Sequence, residues 1–92
     1  MSNEPTAAEL FTAAVGDRVR EWREALNQSR AELAEKAGIS VAYLAKIEQG
    51  NVAAAITTMQ GIATALKVET WELLDIDGSE LGVAALAVKK IT

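Results

Sequence analysis

An all-α domain of five short helices, with a short C-terminal extension, is the fold class that this sequence predicts. Three observations carry the prediction. Apolar residues recur at helical spacing in successive stretches between residues 15 and 74. Polar capping residues and glycines stand at the ends of those stretches. The same span contains no proline and no strand-like alternation. Ninety-two residues, 50% of them apolar, suit one small core.

Thr6 and Glu9 have capping-box spacing just after Pro5, so the alanine-rich stretch to residue 14 is expected to be helical, with Gly16 expected to break it from the next helix. Residues 1–14 are therefore read as a partly helical N-terminal extension, and 15–76 as the domain proper. Val15, Val19, Trp22 and Leu26 form one apolar stripe, and Asn27 stands at its end as a residue tolerant of the left-handed conformation. Ser29 and Glu32 repeat the capping box before Leu33, Ala34 and Ala37, and Gly38 ends that helix. Ser40 caps a third helix with Leu44 and Ile47 inward, closed by Gly50. Ile56, Met59, Ile62, Ala63 and Leu66 mark a fourth, and a short fifth holds Trp71 and Leu74. Trp22, Leu33, Leu44, Ile47 and Trp71 are the expected core. In the extension, 77–92, Ser79 is placed to cap a helix through Val88, although the run Val83 to Val88 also fits a strand.

Composition removes several classes of function. With no cysteine there is no disulfide framework and no thiolate metal site. With no histidine, the commonest general base and zinc ligand are missing. No cofactor and no catalytic residues are expected, and Glu32 and Glu35 are better explained by capping and a wet helix face than as an acid–base pair. No apolar run approaches the ~20 residues that span a bilayer, and no secretion signal is visible, so a cytoplasmic domain is expected. The net charge of −4 opposes nucleic-acid binding if taken alone, but residues 15–50 are neutral and the acid excess lies on either side of them.

Two short helices joined by a three-residue turn with glycine, here Gly38-Ile39-Ser40, have helix-turn-helix spacing. The residues sharpen this. Ser29 to Ser40, then Tyr43-Leu44-Ala45-Lys46-Ile47-Glu48-Gln49-Gly50, closely resemble the XRE family of phage-repressor-like regulators. Gly61 to Val68 resembles that family's fourth helix and Val15 to Arg23 its first, so the likeness spans about residues 15–74.

The resemblance implies a phage-repressor-like DNA-binding domain of bacterial or phage origin, nucleoid-associated, whose helix from about 40 to 49 enters the major groove. Val41, Ala42 and Lys46 then face bases, with Ser40 and Tyr43 at the edge of that footprint. Lysine donates to guanine, and the small apolar residues pack on thymine methyls. Tyr43 reads either as a phosphate ligand or as cover for the neighbouring helix. Arg30 stands where the family usually has glutamine and is expected on a phosphate, as is Asn51. Arg23 and Glu48 are implied to form a structural ion pair. Two features depart from the family. Asn51-Val52-Ala53-Ala54-Ala55 replaces a basic and polar stretch that normally ends in a helix cap, and Gln28 replaces a leucine.

The implied function is a sequence-specific transcriptional regulator on double-stranded DNA, a homodimer on a palindromic operator. Dimer contacts come from the apolar tail Leu81 to Ile91 or from the 52–55 patch with the fifth helix. A protein partner, a toxin or another regulator, fits the same family. The competing reading is a protein-interaction domain that keeps the fold with little affinity for DNA.

Overall fold

The structure, a computed structural model, describes residues 4–75. Five helices succeed one another: α1 (Ala7–Ala25), α2 (Arg30–Ala37), α3 (Val41–Glu48), α4 (Ile56–Leu66) and α5 (Thr70–Leu74). There is no strand among the described residues. The helix or strand expected in 77–92 lies outside them.

Local chemistry sets most of the helix ends. Thr6 and Ser29 each accept a hydrogen bond from the backbone N–H three residues on. The Glu9 and Glu32 carboxylates each accept one from the cap backbone in return, so both capping boxes form. Ser40 accepts from the Tyr43 N–H at 3.0 Å. Asn27, at φ 56°, and Gly38, at φ 73°, take the left-handed conformation that stops α1 and α2. Lys67 does the same after α4 at φ 60°, a position where the sequence shows no glycine or asparagine to announce it. The N-terminus of α4 has no side-chain cap, because Ala55 occupies that position.

The break expected at Gly16 does not occur; α1 runs through it without interruption. The glycine serves close packing instead of a stop. A Cβ there would collide with the carbonyl oxygen of Ile47 and crowd that of Glu48 at 3.1 Å, so only glycine lets α1 lie so tightly on α3.

The core gathers Val15 and Val19 from α1, Leu33 and Ala34 from α2, and Leu44 and Ile47 from α3. Met59, Ile62, Ala63 and Leu66 from α4 and Leu73 from α5 complete it. Helix α1 packs on α3, α2 on both α3 and α4, and α5 on α1 and α4. The Arg18 Nε donates to the Glu72 carbonyl at 3.1 Å and ties α5 to α1.

Five apolar positions of the expected core and helix stripes need correction. Trp71 is 63% exposed, and Leu73 takes the buried place that Trp71 and Leu74 were expected to share. Ile56, the first residue of α4, is 78% exposed, because the first turn lies beyond the helices that α4 packs against. Leu26, past the last turn of α1, is exposed as well. Trp22 is half-buried at the edge of the core.

Candidate nucleic-acid interface

Helix α3 has two faces of opposite character. Leu44, Ile47 and Glu48 are buried, which fixes the helix against α1 and α2. Val41, Ala42 and Lys46 are exposed together on the other side. Lys46 makes no hydrogen bond or ion pair with any described residue, so its ammonium is available. Ser40 lies beside them and is already engaged as the N-cap, but a hydroxyl that accepts can still donate. Tyr43 is half-buried and packed against the core, which anchors its ring and leaves the covering role at least partly filled. Asn51 follows the left-handed Gly50 and donates through Nδ2 to the Gln49 side chain at 3.2 Å, so it braces the end of α3.

Behind this surface lies a buried carboxylate. The Glu48 side chain is 0% exposed and would be costly to bury without partners. Arg23 supplies two of them, Nε at 2.7 Å and Nη2 at 3.0 Å, while its Nη1 donates to the Gln28 carbonyl at 2.9 Å. The Glu48 hydrogen bonds hold the Arg23 pKa above the ordinary guanidinium value, against the opposing effect of its burial. This is the expected ion pair, in bidentate form.

Arg30 also joins it. Its Nε donates to Glu48 Oε1 at 3.0 Å, with the side chain 39% exposed. The sequence placed Arg30 on the surface for a phosphate and showed no sign of the contact with Glu48, which lies 18 residues away on another helix. Gln28, the departure from leucine, has its Oε1 buried with no hydrogen-bond partner among the described residues.

Other cations are committed within the fold. Arg20 pairs with Asp17 at 2.9 Å, and Arg18 holds the α5 carbonyl. Lys36, in the last turn of α2, is exposed beside Glu32. On a different side, Phe11, Val52, Ala54, Ile56 and Leu74 line an apolar groove of about 280 Å³. The described residues contain no cluster of acidic groups fit to hold a metal ion.

Helices α2 and α3, joined by the three-residue turn Gly38-Ile39-Ser40 with the outer face of α3 exposed, form a helix-turn-helix. The helix-turn-helix family model matches residues 19–73, more than half of the chain, and the chain belongs to that family in its XRE branch of transcriptional regulators. It is 34% identical over 62 residues to the HTH-type transcriptional regulator SinR of Bacillus subtilis, and that match takes in 66% of this chain and 56% of SinR. The chain thus spans little more than half the length of that relative.

Among solved structures, the restriction-modification controller protein C.AhdI from Aeromonas hydrophila is similar at TM-score 0.67 and 32% identity, over 67% of this chain and 94% of that one. The clp gene regulator ClgR from Corynebacterium glutamicum shares the fold at TM-score 0.72 and 22% identity, over 96% of this chain and 89% of that one. Proteins named in these matches are regulators and none is named as an enzyme.

Proposed function

We propose that the protein is a sequence-specific DNA-binding transcriptional regulator, a homodimer that lays α3 of each copy in the major groove of a palindromic operator. One observation carries the reading. α3 offers Val41, Ala42 and Lys46, which pairs with no described residue, on its open face, while its opposite face is fixed by the core and by an ion-paired glutamate. A rigidly mounted helix with an open polar and methyl-bearing edge is what major-groove readout requires. Arg30 at the start of α2, Tyr43 within α3 and Asn51 just after it serve as phosphate ligands, and Ser40 sits at the N-terminal edge of α3.

One such helix reads few base pairs, so specificity comes from two copies on half-sites about 34 Å apart. Regulation results from occupancy of the site, by occluding or recruiting polymerase. Selection of bound sites from random duplex DNA, with a salt titration on the winners, tests the reading. A palindromic consensus is expected, with log Kd rising by about 0.9 per phosphate contact for each unit of log salt. No binding to any duplex at low salt would sink it.

In that assay Lys46→Ala relaxes preference at particular base pairs, whereas Arg30→Ala weakens all sequences alike. A uniform loss from both would overturn the proposed orientation of α3.

A second reading draws on the apolar side of the molecule. Ile56 is widely exposed beside the alanine-rich 52–55 stretch, Trp71 is exposed on α5, and the whole chain is acidic. A domain that binds a protein partner there would give a heteromeric complex and no DNA affinity. The same titration separates the two.

A further inference from the structure

We propose that Glu48 is a positioning residue for DNA binding. Its buried carboxylate, locked by Arg23, grips the Nε of Arg30 and presents the other edge of that guanidinium to a backbone phosphate. This rests on the DNA-binding reading above and specifies how one of its contacts is made.

The charges at the cluster do not balance. One carboxylate meets two guanidinium groups, which leaves one net positive charge. Arg23 already neutralises Glu48 through two hydrogen bonds and is itself only 11% exposed, so it is spent on the interior. The surplus charge therefore resides on Arg30, whose side chain reaches the surface. Arginine has five N–H donors in a rigid planar fork, one on Nε and two on each Nη. The bond to Glu48 takes Nε, and the Nη edge can meet an anion without breaking it.

The arrangement also has an entropic consequence. A long side chain held at Nε has given up much of its rotamer freedom on folding, so less is lost when it meets DNA. Its location ties the two kinds of contact together. Arg30 is the first residue of α2, whose N-terminal end is partly positive, and Glu48 is the last residue of α3. One carboxylate thus sets both the seat of the recognition helix and the aim of the phosphate ligand. A backbone contact fixed in this way keeps the base contacts of Lys46, Val41 and Ala42 in register.

Lysine would not replace Arg30. Its ammonium is a single compact centre without the two separate edges of a planar fork, so it cannot hold Glu48 on one edge and offer a second to the phosphate.

The test uses the full chain and a duplex of about two helical turns, the selected operator or, failing one, random-sequence DNA at low salt. Affinity is read by fluorescence anisotropy across a salt series, at temperatures below the melting of each variant. Arg30→Ala is expected to weaken binding roughly tenfold and to lower the salt slope by about 0.9. Arg30→Lys keeps the charge and is expected to lose most of the same affinity. Glu48→Gln is expected to weaken binding when Arg30 is present and to have little effect in an Arg30→Ala background.

The positioning role is overturned if Arg30→Lys binds as tightly as wild type, or if Glu48→Gln costs the same factor in both backgrounds. In either case the DNA-binding reading stands. If wild type binds no duplex, that reading falls and this inference with it. Should Glu48→Gln fail to fold, the lysine comparison decides alone.

Discussion

At the scale of single residues, the buried charge cluster is the most consequential feature. Arg23→Ala removes two of the three hydrogen bonds to a carboxylate with no access to water. Loss of one partner of a buried pair costs about 3–5 kcal/mol, and Arg30 keeps the outcome near the lower figure because it remains as a counterion. Denaturant unfolding checks this, and a cost below about 1 kcal/mol, the range of surface pairs, would mean that the pair is effectively exposed. Gln28→Leu is expected to act in the opposite direction. It removes a buried acceptor that has no donor among the described residues and adds apolar volume, for a gain of about 1 kcal/mol. The Arg23–Glu48 pair was legible through the family likeness, but the third member was not. Whether a side chain on α2 reaches the end of α3 depends on how the helices cross, and no local pattern encodes that.

At the scale of elements, local rules worked wherever partners lie three or four residues apart. Both capping boxes, the Ser40 cap and the stops at Asn27 and Gly38 are contacts of that kind. They failed where tertiary packing or element length decides. The five residues of α5 hold too little repeat for a stripe to be recognised, so Leu73 was missed as the buried residue in favour of Trp71. Gly16 was misjudged for a related reason, since helix propensity describes an isolated helix and this glycine answers to α3.

Two substitutions test these accounts. Gly16→Ala should improve intrinsic helicity by about 1 kcal/mol, yet destabilise the protein by about 1–3 kcal/mol, because the added methyl meets backbone that cannot yield. Stabilisation would show that α1 and α3 have room to part. Ala55→Ser supplies the missing cap of α4. The backbone there, at φ −61° and ψ 154°, already has N-cap geometry, so a gain of about 1 kcal/mol in thermal unfolding is expected.

For the whole molecule, the question is how a chain with net charge −4 holds DNA. Most of its arginines are occupied internally, with Arg18, Arg20 and Arg23 all bound to groups of the fold. With thirteen acidic groups against nine basic ones, one copy attracts DNA weakly, which favours the proposed dimer, and in that dimer each copy needs a surface for the other. The apolar groove lined by Phe11, Val52, Ala54, Ile56 and Leu74 offers a second copy in that proposed dimer an apolar surface to cover. Ile56→Glu tests this cleanly, because a residue already 78% exposed can take a charge at little cost to folding. Its melting temperature should stay near wild type while light scattering reports monomer in place of dimer. Binding to a two-half-site duplex should then fall to the affinity of a single half-site, because the second contact no longer benefits from the high effective concentration that a dimer provides. A variant that stays dimeric and binds the full operator undiminished would move the dimer surface away from this groove.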